Sequence, residues 1–371
     1  MDPFDDLYAR VISEHSLAVE PGHSVLIESS PSGDPLCRAI ALRVREAGAH
    51  AIVRMWPEGW TEARVEEASS DVLGHQDRVR ELLYARVDRR VIIGAERNTR
   101  ALAHLPGARV AAQAAAHLAS VHVLLERDEA GEGRWLVAQY PTEGYAGEAG
   151  LEPRAYRELM ARALLLDQPD PVAAWRAVGD RQERIAAFLE GVDELHVTGP
   201  GTDLRLRVGG RHWISAHGRH NLPDGEVFSA PHEDATSGVV TFALPVVWQG
   251  SGVVEGARLR FEAGRCVEAH APVGDEVLQA ALALDDGARV LGEVAFGLNE
   301  GLVLPTHSTL LDEKIGGTMH LALGASYSVC GGTNQSRLHW DLVCDLRDGG
   351  EVRADGRTVF RDGAFLPEVV E

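Results

Sequence analysis

The strongest constraint on the fold is a change in the spacing of apolar residues part-way along the chain. In the first half, short apolar runs typical of buried strands alternate with segments of helical periodicity. The predicted strands cover residues 24–29, 51–55, 90–94 and 134–138, and the predicted helices cover 5–19, 34–47, 98–105 and 111–119. Because strands joined by helices pair in parallel, this half predicts an open α/β sheet.

From Glu194 the pattern changes to short strands separated by turns. The predicted strands are 194–198, 203–208, 212–215, 238–243, 258–262 and 265–271. Closely spaced strands without intervening helices predict an antiparallel, barrel-like or sandwich-like domain. We therefore predict an α/β fold of two domains, an N-terminal open α/β sheet domain at 1–190 and a β-rich domain at 191–371.

Charge and hydropathy exclude several classes of function. Asp and Glu number 56 against 36 Lys and Arg, which gives a net charge of −20. Such a surface repels phosphate backbones and anionic lipids, so we expect neither nucleic-acid nor membrane binding. The N-terminal segment is acidic and lacks an apolar signal core, and no apolar run reaches the ~20 residues that cross a bilayer. We expect a cytoplasmic protein.

Several common catalytic motifs are absent from the sequence. The four cysteines form no C-x-x-C pair, which argues against a disulfide framework and a thiolate zinc site. There is no H-E-x-x-H helix and no G-x-S-x-G elbow. The segment Gly199-Pro200-Gly201 lacks the third glycine of a dinucleotide loop. These absences disfavour serine hydrolases, helix-borne zinc proteases and nucleotide enzymes.

Histidines and carboxylates gather instead in the β-rich half. His339 and Asp341 share one face of a predicted strand, because alternate residues of a strand point the same way. The pair suits a metal ion, or equally a structural hydrogen bond at a sheet edge. His320 has small face-mates in the run Thr318–Gly324, which leaves room for an ion, although a lone interior histidine is the commoner case.

Three glutamates extend this set. Glu293 lies in the apolar run Leu291–Gly297, where burial of its charge requires a cation or a proton; the alternative is an exposed position on a helix. Glu226 and Glu313, taken singly, are ordinary solvated or ion-paired carboxylates. Together, three glutamates, two histidines and one aspartate provide enough ligands for two divalent ions with one bridging carboxylate.

These blocks together resemble the M29 family of metallopeptidases, the aminopeptidase T and aminopeptidase S type. The resemblance covers most of the chain and is strongest between residues 201 and 345. The matching blocks are Gly225-Glu226-Val227-Phe228, Leu291-Gly292-Glu293-Val294, Asp312-Glu313 with His320-Leu321-Ala322-Leu323-Gly324, and His339-Trp340-Asp341.

The resemblance implies a catalytic centre and an assembly. It places metal ligands at Glu226, Glu293, Glu313, His320, His339 and Asp341. It implies two divalent ions per chain (Zn, Co or Mn), with Glu293 as the bridging carboxylate and Tyr327 lining the site as a hydrogen-bond donor to the oxyanion. The implied activity is release of N-terminal amino acids from peptides, by a homodimer that encloses its active sites.

Lys314 is the only lysine among 36 basic residues, and it directly follows Glu313. Lysine is a compact ammonium that arginine does not replace near a crowded ion site. We therefore propose that Lys314 lies at the active site, where it braces Glu313 or contacts the substrate. The alternative is an exposed ion-paired turn.

Two other functional classes remain open on the sequence. His320, His339 and Asp341 alone satisfy the two-His-one-carboxylate requirement of a mononuclear Fe(II) enzyme, and some dioxygenases that cleave dihydroxypyridine rings also resemble this peptidase family. Against an oxygenase stand the three glutamates, which a one-iron site does not need. A non-catalytic, metal-dependent binding protein is the third hypothesis.

Overall fold

The computed structural model describes residues 1–248 and 252–370, which form two compact units. The first unit comprises Met1–Trp175 and the short segment Gly218–Pro223. The second comprises Arg176–His217 and the chain from Asp224 onward. The mixed α/β fold class is confirmed, and the domain boundary at residue 190 stays a prediction.

Helices are concentrated before residue 190 and strands after it, as the sequence predicts. The helices are α1 (Pro3–Val11), α2 (Asp34–Glu46), α3 (Trp60–Glu67), α4 (Ser70–Leu73), α5 (Arg78–Tyr84), α6 (Gly107–Ala115), α7 (Leu118–Glu129), α8 (Glu143–Glu148), α9 (Pro153–Ala163), α10 (Pro171–Leu189), α11 (Asp275–Leu282), α12 (Thr309–Asp312) and α13 (Pro367–Val370). A π-helical turn (Ile12–Ser16) and 3₁₀ turns (Pro31–Gly33, Asp286–Arg289, Ser328–Cys330) complete the helical segments of the described residues.

The strands are β1 (Ser24–Ser29), β2 (His50–Met55), β3 (Arg89–Gly94), β4 (Arg134–Gln139), β5 (Glu194–Gly199), β6 (Thr202–Arg207), β7 (Ile214–Ala216), β8 (Asn221–Leu222), β9 (Glu226–Ser229), β10 (Ser237–Phe242), β11 (Val246–Val247), β12 (Val253–Val254), β13 (Ala257–Glu262), β14 (Arg265–His270), β15 (Leu291–Gly297), β16 (Thr318–Gly324), β17 (His339–Asp345), β18 (Glu351–Ala354), β19 (Arg357–Arg361) and β20 (Ala364–Phe365).

The first unit is built on a parallel sheet with the strand order β2-β1-β3-β4-β8. Helix α2 connects β1 to β2, and Gly48 follows it with a positive φ of 76°, the left-handed conformation that ends many helices. The last strand of the sheet, β8, comes from the segment 218–223 and pairs with β4 at Val137 and Ala138. The predicted open α/β sheet is thereby confirmed.

One predicted helix of this unit is wrong. Residues 98–105 form successive turns, in which the amide of Ala103 donates to the carbonyl of Arg100. A proline disfavours the helical conformation of the residue before it, so Pro106 prevents Leu105 from continuing a helix. The regular helix begins after that proline, as α6. The predicted helix at 111–119 is divided between α6 and α7.

The second unit contains two larger antiparallel sheets. One has the order β14-β13-β10-β6-β5-β18-β19-β20, and the other has the order β17-β16-β15-β9-β7. We call the second the site sheet. Its alternate residues Met319, Leu321 and Leu323 are buried and belong to one hydrophobic core with side chains of the larger sheet, such as Leu204 and Phe261. One face of the site sheet therefore packs on the core, which leaves its other face for polar side chains.

No helix among the described residues combines the length and the apolar character that a bilayer crossing requires.

Candidate metal centre

Five of the six predicted ligands lie on one face of the site sheet. In strands, directly opposed residues share a face, and so do residues two apart. Each of the five lies directly opposite an alanine or a glycine of a neighbouring strand: Glu226 opposite Gly297, His320 opposite Ala295, His339 opposite Gly324, and both Glu293 and Asp341 opposite Ala322. The small partners leave space above the sheet where the five longer side chains converge.

Glu293 occupies the centre of this group. Its Oε1 lies 3.5 Å from Nε2 of His320, and its Oε2 lies 3.3 Å from Nε2 of His339. The side chain is buried in β15, so the alternative of an exposed helical glutamate is wrong. One carboxylate thus faces two imidazoles with different oxygens, which is the arrangement that a bridging ligand requires.

The two histidines present the same ring nitrogen to the carboxylates. Nδ1 of His339 donates to the carbonyl of Ala325 at 2.8 Å, so its Nε2 is directed to Glu293 and Asp341. A backbone hydrogen bond on the far nitrogen is how metal-binding histidines are usually oriented. Nε2 of His320 lies 3.4 Å from Oε2 of Glu226.

Glu313 reaches the group from outside the sheet, at the C-terminal end of helix α12. Together with His320 and Asp341 it can supply ligand atoms within 4.8 Å of one another. Lys314 is completely buried beside it, and its Nζ contacts Oε1 of Glu313 and lies 3.3 Å from Oε1 of Glu226. The exposed-turn interpretation of Lys314 is therefore wrong.

Among the described residues, three groups of side chains could each hold a metal ion. They are Glu226 with Glu293 and His320, Glu293 with His339 and Asp341, and Glu313 with His320 and Asp341. The buried Oε2 of Glu226 and Oδ1 of Asp341 accept no hydrogen bond from the described residues. Buried acceptors without donors are costly unless a cation satisfies them, so these residues fit divalent metal ions.

The titration of the group reflects crowded negative charge. Burial raises the pKa of Glu226 to about 8, although the neighbouring Lys314 opposes this rise. Burial and the charge of Glu313 raise the pKa of Asp341 to about 7. For Glu293, hydrogen bonds from His320 and His339 outweigh the effect of burial and lower the pKa to about 2. Four carboxylates share this volume, and Lys314 compensates only part of their charge.

Tyr327 lies at the edge of the group, next to His339, with their ring centroids 5.3 Å apart. Its other aromatic neighbour is Phe228, at 5.4 Å. Desolvation, and then the charges of Glu293 and Asp341, raise the pKa of the phenol, which therefore keeps its proton at neutral pH. About 46% of Tyr327 is exposed, so part of this side chain lies at the surface of the site.

The sequence reasoning missed two residues of this region. Asp224 is buried, with Oδ1 4.0 Å from Nζ of Lys314, and Phe228 shares the sheet face of Glu226. Asp224 belongs to the Pro-Asp-Gly turn before Glu226, which alone indicates a solvated residue. For Phe228 the period-two spacing from Glu226 was an available signal. The assignment of all six predicted ligands and of Tyr327 stays a prediction.

Comparison with known proteins relates this geometry to a family. The sequence profile described as "Thermophilic metalloprotease (M29)" matches residues 5–365. Aminopeptidase 2 of Geobacillus stearothermophilus is 30% identical over 98% of this chain and 98% of that protein. Aminopeptidase T of Thermus aquaticus is 35% identical over 63% of each chain.

Two solved structures are similar to the whole chain. Wild-type AmpT from Thermus thermophilus has a TM-score of 0.85 at 27% identity, with 98% of this chain and 99% of that chain covered. The 2,5-dihydroxypyridine dioxygenase from Pseudomonas putida KT2440 has a TM-score of 0.64 at 14% identity, covering 99% and 98%, a likeness of fold alone. The resemblance predicted from the sequence blocks is confirmed, and the chain belongs to the M29 family of metalloproteases.

Proposed function

We propose that the protein is an aminopeptidase that uses two divalent metal ions, held by Glu226, Glu293, Glu313, His320, His339 and Asp341. The observation that carries the proposal is the overlap of the ligand groups, because Glu293 belongs to a group with His320 and also to a group with His339 and Asp341. A shared carboxylate between two ligand groups is typical of co-catalytic hydrolases. The metalloprotease family and the aminopeptidase names of the relatives agree with it.

The chain's own residues supply the remaining chemistry. Divalent ions in such a site lower the pKa of bound water towards neutrality and polarise a carbonyl oxygen. We assign proton transfer between the attacking water and the leaving amine to a glutamate that the metal ions do not saturate, either Glu226 or Glu293. The protonated hydroxyl of Tyr327 donates a hydrogen bond to the developing oxyanion.

The charge of the site supports a preference for a free peptide N-terminus. Five carboxylates (Asp224, Glu226, Glu293, Glu313 and Asp341) lie in this region beside one buried ammonium, that of Lys314, in a chain of net charge −20, so the region favours a positively charged substrate group. The α-ammonium of a peptide has the required charge. A peptide whose N-terminus is acetylated lacks this charge and should not be a substrate.

A mononuclear iron dioxygenase is the alternative, and the geometry argues against it. Such a site needs His320, His339 and Asp341 around one ion, whereas none of the three groups found among the described residues contains both histidines. Metal analysis separates the two functions: two ions per chain support the peptidase, and one iron with oxygen consumption supports the dioxygenase.

The direct test is hydrolysis of aminoacyl-p-nitroanilides by metal-depleted protein, with and without added Co²⁺, Zn²⁺ or Mn²⁺. We expect turnover only with metal, loss of turnover with a chelator, and no turnover of N-acetylated substrates. Folded protein that cleaves no substrate with any of these metals would contradict the proposal. Cleavage of the acetylated substrates would instead indicate an endopeptidase.

We propose in addition a homodimer in the cytoplasm. The dimer is supported by the family resemblance and by the need of an exopeptidase to exclude folded proteins from its site. The four free, buried cysteines fit the reducing environment of the cytoplasm. Light scattering at micromolar concentration should give twice the chain mass of 40.1 kDa, and a monomeric mass would contradict the dimer.

A further inference from the structure

The chain's only lysine occupies a position that the reaction as described does not use. Lys314 has no exposed surface, and three carboxylates surround its ammonium. Nζ contacts Glu313, lies 3.3 Å from Oε1 of Glu226, and lies 4.0 Å from Oδ1 of Asp224. Because the side chain is completely enclosed, Lys314 is a fixed part of the site and not a substrate contact.

Hydrogen bonds on both sides of its peptide backbone hold Lys314 in place. The amide of Lys314 donates to the carbonyl of Leu311 at the end of α12, and its carbonyl accepts from the amide of Asn299 at 3.0 Å. Asn299 also donates through its side chain to the carbonyl of Asp224. The loop that carries Lys314 and the turn that precedes Glu226 are thus joined through one asparagine.

The two oxygens of Glu226 have different neighbours. Oε1 faces Lys314, whereas Oε2 faces Nε2 of His320 at 3.4 Å and accepts no hydrogen bond from the described residues. A carboxylate without a fixed partner would adopt several orientations about its last side-chain bond. The contact of the ammonium with one oxygen fixes the plane of the carboxylate, and therefore the direction of its other oxygen.

From this geometry, and on the basis of the function proposed above, we infer that Lys314 is a positioning residue for one of the two metal ions. It fixes Glu226 so that Oε2 is presented to the ion shared with His320 and Glu293. The ligand group of the other ion, Glu293 with His339 and Asp341, contains neither Glu226 nor Glu313, the two candidate ligands beside the lysine. Loss of Lys314 should therefore weaken one ion selectively.

Of the 36 basic residues, 35 are arginines, and the chemistry of lysine explains why position 314 is the exception. An ammonium offers three rotatable donors around one atom, which matches three carboxylates converging on a point. A guanidinium is a wide planar fork that requires paired acceptors in its plane. The enclosed volume around Nζ favours the compact group.

The test is titration of metal-depleted protein with Co²⁺, followed by the d–d absorption of the bound ion and by calorimetry. For Lys314→Met we expect one of the two ions to bind about 10–100-fold more weakly, the usual effect of losing a hydrogen bond to a metal ligand. The absorption band of that ion should shift, while the affinity of the other ion stays within threefold of wild type. If each of the two ions bound to the variant with the same affinity as to the wild type, the inference would be overturned.

Two further variants separate this role from a purely structural one. The double variant Lys314→Met with Asp224→Asn removes an ammonium together with a carboxylate. Less charge is then left unpaired, so we expect the fold to be retained. One of the two Co²⁺ ions should still bind more weakly than in the wild type. The matched control is Arg90→Met, which removes a cation from the buried pair that its Nε forms with Glu28 at 2.8 Å. This control should lower the melting temperature without changing either Co²⁺ affinity.

The wild-type titration distinguishes failure of this inference from failure of the proposed function. Two ions in wild type and two unaltered ions in the folded double variant would overturn the role of Lys314 and leave the peptidase proposal intact. Fewer than two ions in wild type would refute the two-metal proposal, and the role of Lys314 with it.

Discussion

Gly297 offers a direct test of how closely the site sheet is fitted to the loop that carries Glu313 and Lys314. The residue lies on β15 directly opposite Glu226. A Cβ added there would lie 2.3 Å from the carbonyl oxygen of Ile315 and 3.0 Å from that of Glu313. Both atoms belong to the backbone, so no change of rotamer can relieve the contact.

The size of the effect follows from these distances. Carbon and carbonyl oxygen atoms normally approach to about 3.3 Å, so the Gly297→Ala variant requires a displacement of about 1 Å. Overpacking of a buried position costs about 1–3 kcal/mol, and a backbone contact belongs at the upper end. For a unit of this size, about 3 kcal/mol corresponds to a melting temperature lowered by about 6–12 °C. A misplacement of about 1 Å beside the ligands should also lower kcat/KM by about 100-fold.

The assay combines thermal unfolding of the metal-depleted protein with hydrolysis of an aminoacyl-p-nitroanilide after metal addition. The control is Gly199→Ala at the end of β5 in the same unit, where the new Cβ would meet its nearest atoms at 3.6 Å, an ordinary contact. The control should stay within about 1 kcal/mol of wild type. A Gly297→Ala protein with wild-type melting temperature and activity would refute the reasoning.

Three further predictions concern single side chains. Glu293→Gln should lower the metal content and reduce kcat/KM at least about 100-fold, as judged by elemental analysis and kinetics, whereas Glu262→Gln on the exposed side of β13 should change neither. Tyr327→Phe should lower kcat about 100-fold with little change in KM, and an unchanged kcat would exclude the proposed hydrogen bond to the oxyanion. Burial, followed by the charge of Arg80, lowers the pKa of His117 to about 4 from its usual 6.5, so the folded state resists protonation of this ring. Stability should therefore be complete above pH 6.5 and decrease as the pH falls towards 4, and the melting temperature of His117→Gln should decrease less over that interval.

The local pattern predicted the strands that carry His320, His339 and Asp341, whereas it left Glu293 open between a strand and a helix and predicted no strand at Glu226. Strict alternation predicted that His320 points away from its neighbours Met319 and Leu321. In the structure Met319 and Leu321 lie in the hydrophobic core, and His320 lies on the other face of the sheet. The same alternation placed His339 and Asp341 together. Period-two patterns are reliable here because one face of the sheet is completely buried.

The convergence of the candidate ligands could not be predicted from any local pattern. Which strands are neighbours, and in which register, depends on contacts between distant segments, such as Gly297 with Glu226 and Ala295 with His320. The grouping of the ligands was therefore available only from the family resemblance. The burial of Lys314 was not visible in the sequence either, since Asp312-Glu313-Lys314 is also typical of an exposed turn.

The path of the chain through β8 has a consequence for how the protein is made. The edge strand of the parallel sheet is encoded after residues 176–217, which belong to the other unit. During synthesis, β8 can therefore pair with β4 only after residues 176–217 of the second unit have left the ribosome. A gene fragment that ends at Trp175 would lack this strand and would also lack the carbonyl of Leu222 that accepts from Tyr8 at 3.0 Å. Neither unit can be exchanged between genes as one uninterrupted cassette.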